Sequence, residues 1–308
     1  MEVELLKDLA LSRFAVDRAA PLRADADWLN RAWAQESTRV LVLKDNALPV
    51  TDELSLIWVK PEATHLTLEQ VAPHAVLLGV DNGHTYVGIM DDIVTIDAVA
   101  WVALRAVGAQ LSAHDVGLAT TAIAMSQWHA THKFCTRCGS ATMVTQGGWA
   151  RQCSTDGSDH YPRTEPAMIV AVNDKDDRIL LGRRIDWPEG WFSTLAGFVE
   201  AGESAEACVI REVFEESGIR LDLESLQYLG SQPWPYPASL MLGYRATATS
   251  IDISVEVAEM AQVKWFSREE FVAECKAETL RLPNPVAIAF RLIQDWYGSE
   301  IPQEWTRK

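Results

Sequence analysis

The sequence predicts an α+β protein in three parts: a mixed α/β domain over 1–130, a small cysteine-bearing segment over 131–164, and an α/β/α sandwich on a mixed sheet over 165–308. Three observations lead there. Aliphatic, strand-like runs alternate with Ala- and Glu-rich stretches at both ends of the chain. Cys135, Cys138 and Cys153 crowd into the middle, and a stretch near 204–217 sorts acidic side chains to one side of a helix. A sheet with two apolar faces needs helices on both, which selects the sandwich.

In the first domain, runs at 39–43, 56–59, 75–80 and 85–89 have strand character, and Asp81-Asn82-Gly83 between the last two is a hairpin signal. From 112 to 132 an Ala-rich stretch without proline reads as a helix leading into the cysteines. There, Cys135-Thr136-Arg137-Cys138 is followed fifteen residues later by Cys153, the spacing that opens a zinc ribbon, in which two Cys-x-x-Cys knuckles hold a tetrahedral ion. The second knuckle, Cys153-Ser154-Thr155-Asp156, has Asp in the place of the fourth Cys, with His160 four residues on. Either Asp156 or His160 completes the set, or the metal has been lost and packing alone keeps the ribbon. Lys133, Arg137, Arg151 and Arg163 are too few to make the segment a nucleic-acid platform.

The last region begins with strands at 167–173 and 178–182 around an Asp-rich turn at 174–177. It continues through a helix at 204–217 and strands at 226–231, 240–249 and 263–266 to a closing helix at 285–297. Gly218 stands where a helix C-cap favours a left-handed residue. At roughly 100° per residue, Glu212, Glu215 and Glu216 fall in one wedge of the 204–217 helix, while Ile210, Val213 and Phe214 point elsewhere, toward the expected core. Like charges at this spacing destabilise a helix by a few tenths of a kcal/mol per pair, and a hard divalent cation is what offsets them. Arg211 precedes Glu215 by four positions and is placed to hold it.

Composition narrows the function. A formal net charge of −16 excludes long-range attraction to nucleic acid or anionic membrane as the driving force of binding. Five cysteines, an odd number, argue against a disulfide framework. With no run of eighteen apolar residues and no signal-like start, the expectation is a cytoplasmic protein without membrane partners.

Gly197, Glu203, Arg211, Glu212, Val213, Glu215, Glu216, Gly218 and Ile219 occupy every fixed position of G-x5-E-x7-R-E-U-x-E-E-x-G-U, so the chain resembles the Nudix hydrolase superfamily. Twelve residues past Ile219, Ser231-Gln232-Pro233-Trp234-Pro235-Tyr236-Pro237-Ala238-Ser239 looks like the SQPWPxPxS motif of the NADH pyrophosphatases within it. Three alternate prolines there pre-order the backbone and would present Gln232, Trp234, Tyr236 and Ser239 at little entropic cost. The resemblance implies a Nudix-like first domain and hydrolysis of NADH or NAD to nicotinamide mononucleotide and AMP. It also implies removal of the NAD cap from RNA 5′ ends, and a homodimer. It places Mg²⁺ or Mn²⁺ on Glu212, Glu216, Glu259 and the carbonyl of Ala196, with Glu215 as ligand or base. Substrate contacts fall on Tyr161, Phe198, the loop Gln232, Pro233, Trp234, Pro235, Tyr236, Pro237, Ala238, Ser239, and Ala289. Gly148, beside Trp149, departs from the acidic contact that family members carry there. The competing readings are a Nudix hydrolase of ADP-ribose or other nucleoside diphosphate derivatives, and a non-catalytic dinucleotide-binding regulator.

Overall fold

A computed structural model describes residues 4–90, 93–94, 96–98, 100–255 and 259–307. These fall into two compact units: Arg13–Thr164 together with Trp234–Ala238, and the rest.

In the unit containing the first domain, strand Arg39–Val42 runs parallel to His84–Ile89, which pairs antiparallel with Ala75–Asp81. Asn82 and Gly83 turn this hairpin at φ 46° and 78°, the left-handed pair that an Asn-Gly turn supplies at little cost. A second ladder joins Ala47–Val50 to Ala100–Ala103. The expected strand at 56–59 does not form, because its ends bridge different partners: Leu56 pairs with Val50 and Val59 with Val40, so the run crosses between ladders. Helix Ala113–Thr131 is capped by Ser112, whose side chain accepts from the Asp115 N–H. A three-stranded ribbon follows, Thr142–Thr145 against Ala150–Cys153 against Asp159–His160.

The other unit is the sandwich. Its sheet runs in the order Leu221–Trp234, Ser239–Ala248, Glu165–Asn173, Ile179–Arg184, Met260–Phe266, with Leu195–Phe198 also paired to Glu165–Asn173. The parallel pairing of Ser239–Ala248 with Glu165–Asn173 makes the sheet mixed. Alternation along the central strand splits the core in two. Met168, Val170 and Val172 pack against Cys208, Val209 and Val213 of helix Ala205–Ser217, while Ile169 and Ala171 pack against Phe271, Leu292 and Ile293 of the C-terminal helices. Helix Arg268–Lys276 opens with a capping box between Ser267 and Glu270.

Candidate active site

Ser204 caps helix Ala205–Ser217 by accepting from the Ala207 N–H at 3.2 Å, and Gly218 ends it in the left-handed conformation at φ 72°. The buried face differs from the expected one. Val213 is fully buried, but Ile210 is 36% and Phe214 47% exposed. The core side is made by Cys208, Val209, Val213 and Ser217, and it includes Glu216, only 4% exposed. Ile210 and Phe214 lie on the solvent side because the helix presents its Val209–Val213 stripe to the sheet, and Phe214 is covered by the Arg220 guanidinium at 5.1 Å.

Arg211 organises the carboxylates. Its Nε and Nη2 donate to both oxygens of Glu203 at 2.8 Å, Nη1 donates to Glu212 at 2.9 Å and to Glu215 at 3.0 Å, and Nη2 also reaches the Phe198 carbonyl at 3.0 Å. This fork spends the guanidinium on positioning three acids and tying the helix to the strand before it. The Arg211 hydrogen bonds hold the Glu203 carboxyl down at about 2 and raise the guanidinium in turn. Glu216 lies outside the fork. Burial first, then the charge of Glu212 and, less strongly, that of Glu259 push its carboxyl up to about 8, against the opposing charge of Arg184 and a backbone hydrogen bond from Ala196. Its Oε2 is buried and without a hydrogen-bond partner. Glu212 is also raised, by burial first.

Two neighbours frame this pair. Gly197 in strand Leu195–Phe198 has no room for a side chain, since a Cβ built there would land on the Glu212 carboxyl. Glu259, exposed, precedes strand Met260–Phe266, and its carbonyl accepts from the Ile185 N–H at 3.0 Å. On the buried face of the same helix, burial pushes the Cys208 thiol up to about 12.

Glu212, Glu215, Glu216, Glu259 and Ala196 thus belong to one neighbourhood of helix, strand and strand start. Phe198, 57% exposed, presents its ring from the same strand as Ala196. Other expected contacts are placed differently. Gln232 is fully buried: its Nε2 donates to the Val286 carbonyl at 3.0 Å and its Oε1 accepts from the Leu11 N–H at 3.3 Å, so the amide ties chain segments together instead of being presented. Ala289 lies in the core between sheet and C-terminal helices, because the strongly amphipathic helix Ile288–Tyr297 turns it inward. Ser239 and Pro235 are buried; Pro233, Trp234, Tyr236 and Ala238 are half-buried, and only Pro237 is exposed. In the first unit, Trp234 and Tyr236 meet edge to face at 5.0 Å, with the Arg105 guanidinium 4.3 Å over Tyr236. Tyr161, also in that unit, is exposed. Sequence reasoning missed Arg184 and Arg105, for which no local pattern exists. It left Glu203 and Gly197 without roles, although both stand at fixed positions of the motif.

The ribbon brings four ligand atoms together. The thiols of Cys135, Cys138 and Cys153 and a carboxylate oxygen of Asp156 lie within 4.8 Å of one another, and among the described residues no other group of three or more His, Cys, Asp or Glu does so. His160 is not in the group; its Nε2 faces Ser158 Oγ at 3.3 Å. Burial would raise the Cys135 thiol, but the backbone N–H groups of Cys138 and Arg137 outweigh it and bring the group to about 6. Asp156 is held well below its ordinary value by the Ser158 hydroxyl and N–H. Thiolate character and a fixed carboxylate suit a tetrahedral ion. Gly148, at φ +85°, lies so close to Ala75 and Val76 that a Cβ would meet their backbone, so the acidic side chain expected from the family has no space there.

Residues 163–285 match the NUDIX domain, so the sandwich and its acidic helix are a Nudix domain, which implies a divalent metal. Residues 130–161 match the NADH pyrophosphatase zinc ribbon domain and 37–128 the NADH pyrophosphatase-like rudimentary NUDIX domain. The NAD-capped RNA hydrolase NudC of Mycobacterium bovis is 35% identical over 312 residues, covering 94% of this chain and 95% of that protein. The protein of the same name from Mycobacterium tuberculosis matches equally. Human NAD-capped RNA hydrolase NUDT12 is 39% identical over 199 residues, covering 61% of this chain and 43% of its own length. The chain belongs to the NADH pyrophosphatase family of the Nudix hydrolases.

Proposed function

We propose that this protein hydrolyses the pyrophosphate of NADH and NAD to nicotinamide mononucleotide and AMP, and removes the NAD cap from RNA 5′ ends. The observation that carries the reading is Glu216: a buried carboxyl with an unpartnered oxygen, next to Glu212 and outside the Arg211 fork that engages Glu203, Glu212 and Glu215. A buried acid in that state is stabilised either by a proton or by a cation, and the oxygen-only donor set fits Mg²⁺ or Mn²⁺. Glu212, Glu216, Glu259 and the Ala196 carbonyl would hold it, with Glu215 as a further ligand. Bound there, a divalent cation neutralises charge on the diphosphate and acidifies water.

The chain's own groups do the rest. Arg211 fixes the carboxylates of Glu212 and Glu215 before substrate arrives, so no reorganisation is needed at the moment of reaction. Glu215, exposed on the helix and held by Arg211, accepts the proton of the attacking water and passes it to solvent when it is not itself a metal ligand. The Phe198 ring stacks on a base. In the ribbon, Asp156 serves as fourth ligand to zinc beside the three cysteines. Among the described residues no helix is long and apolar enough to cross a membrane. A cytoplasmic homodimer is the assembly the family implies, and light scattering on the purified protein tests it.

The deciding experiment compares turnover of NADH, NAD, ADP-ribose and NAD-capped RNA with Mg²⁺ and with Mn²⁺, products resolved by mass. Nicotinamide mononucleotide and AMP are expected from both dinucleotides. ADP-ribose preferred by more than about tenfold, roughly 1.4 kcal/mol in transition-state binding, would overturn the assignment. The acidic charge balance predicts that capped RNA is bound through its first few nucleotides, and hence a shallow salt dependence.

A further inference from the structure

Two arginines approach the acidic site, and they are used differently. Nε, Nη1 and Nη2 of Arg211 donate to Glu203, Glu212, Glu215 and the Phe198 carbonyl, which consumes the whole guanidinium fork. Arg184, the last residue of strand Ile179–Arg184, is the opposite case. Its side chain is 48% exposed, and its ion pair is a long contact from Nε to the exposed Asp186 at 3.4 Å. A pair between exposed groups contributes little. The terminal nitrogens Nη1 and Nη2 make no hydrogen bond among the described residues.

The sheet aims Arg184 at the acids. Along the pairing of Ile179–Arg184 with Met260–Phe266, Leu180 lies opposite Trp265 and Gly182 opposite Val263, on the face that packs against helix Ala205–Ser217. A Cβ built on Gly182 would meet Met260 and Leu195 of that same core. Alternation puts Arg184 on this face and Arg183 on the other, where its Nη1 donates to the Trp187 carbonyl at 3.2 Å. Between the two arginines the register slips: Arg183 pairs with Gln262 but Arg184 with Met260, which leaves Ala261 as an extra residue. A bulge of this kind re-aims side chains. It sets Arg184 opposite the buried Met260 and brings Glu259 to the next step, where the Glu259 carbonyl accepts from the Ile185 N–H at 3.0 Å. The charge of Arg184 also reaches the buried carboxyl of Glu216 and opposes its rise.

We propose that Arg184 is a substrate contact whose Nη1 and Nη2 donate to non-bridging oxygens of the diphosphate, beside Glu216 and Glu259. Its planar pair of donors matches a phosphoryl group, and unlike Arg211 it has that pair to give. When water adds to one phosphorus and the bond from that phosphorus to the bridging oxygen breaks, the departing phosphate keeps the oxygen and its electron pair, and the water's proton goes to the carboxylate base. The guanidinium stabilises the charge left on the departing group. Such a contact presupposes the hydrolysis proposed above and adds the protein's own cation to it. Because it is made to phosphate, it is shared by every diphosphate the site accepts and carries no preference for one nucleoside over another.

The test is steady-state hydrolysis of NADH, NAD and ADP-ribose by the full-length protein with Mn²⁺, joined to two calorimetric titrations. One is of Mn²⁺ alone; the other, with Mn²⁺ present, is of α,β-methylene ADP, a diphosphate that cannot be cleaved at the bridge. Arg184→Gln is expected to lower kcat/KM by on the order of 10²-fold for every substrate turned over, and affinity for the methylene diphosphate by about tenfold or more. Its Mn²⁺ affinity should be no weaker than the parent's, because a positive neighbour has been removed. Arg184→Lys keeps the charge without the fork and should recover only part of the loss. Asp186→Asn, which releases Arg184 from its carboxylate, should keep kcat/KM at or above the parent value. Turnover and methylene-diphosphate binding within about twofold of the parent in Arg184→Gln overturn the contact. So does a fall of about tenfold or more in Mn²⁺ affinity, which would make Arg184 a support for the acids. A loss in Asp186→Asn equal to that in Arg184→Gln also overturns it, by making the ion pair the working unit. A loss confined to one substrate overturns the assignment to phosphate. With no dinucleotide turned over by the parent, weakened methylene-diphosphate binding in Arg184→Gln supports the contact and sinks the proposed reaction instead, whereas unchanged binding overturns both.

Discussion

The ribbon and the acidic helix both gather metal-ligating side chains, yet they do so by opposite means. In the ribbon, residues 135 to 156 form two turns whose backbone N–H groups point at sulfur, and four ligand atoms converge within 4.8 Å. At the helix the acids Glu203, Glu212, Glu215, Glu216 and Glu259 come from the helix, the turn before it and the start of a distant strand. An arginine keeps three of them occupied, and one buried carboxyl is left raised and incomplete. A site that folds around an ion with local turns is assembled by spacing. One that must release product and exchange cations is held half-finished by its neighbours, at a cost the rest of the sandwich absorbs.

The largest effect that would sharpen this contrast is expected from Glu216→Gln, which should lower kcat by on the order of 10³-fold with the far-ultraviolet dichroism unchanged. Near-normal turnover would remove Glu216 from the site. Next is Gly197→Ala: because the new methyl group lands on the Glu212 carboxyl, activity should fall by about 10²-fold and stability by roughly 1–3 kcal/mol, read as kcat and as the denaturation midpoint. Arg211→Lys keeps the charge but loses the fork on Glu203, and a drop of about 10–100-fold in activity or metal affinity is expected. In the ribbon, Asp156→Ala should release zinc, measured by metal analysis, whereas Asp156→Cys should retain it more tightly than the parent; equal zinc content in all three would break the comparison.

The last expectation concerns pH and leaves activity aside. A carboxyl raised from 4.5 to about 8 binds its proton more tightly folded than unfolded. Its contribution to the stability of the metal-free protein is therefore full below pH about 4.5 and lost as pH rises through about 8. Melting temperature in the absence of divalent cation should fall across that window, and Glu216→Gln should flatten the fall. Divalent cation affinity should run the other way, rising with pH as the proton is displaced.

Much of the fold was legible. The helix with its Ser204 cap and Gly218 stop, the Asn82-Gly83 hairpin and the long helix before the cysteines all follow from local rules that tertiary packing did not override. Strand Leu195–Phe198 escaped notice because four residues containing a glycine carry no periodicity; pairing to the central strand creates it. Helix Arg268–Lys276 was missed although Ser267 and Glu270 spell out a capping box. At the site, the motif identified the acids but misplaced the core face. Ile210 and Phe214 look buried by hydropathy, while the register set by Val209 and Val213 buries Glu216 instead, and that inversion is what tunes it. Gln232 shows the converse: a residue inside a recognition-like motif whose amide is consumed by Leu11 and Val286, partners invisible in linear order.

Cys208 sits fully buried below the acidic residues with its thiol at about 12, whereas Cys138 is exposed in the ribbon. A thiol-directed fluorophore added to the folded protein stripped of metal therefore labels the ribbon and leaves the helix dark. Emission from Cys208 becomes a clock for opening of the sandwich, recorded on the same molecule whose Cys138 reports loss of its ion.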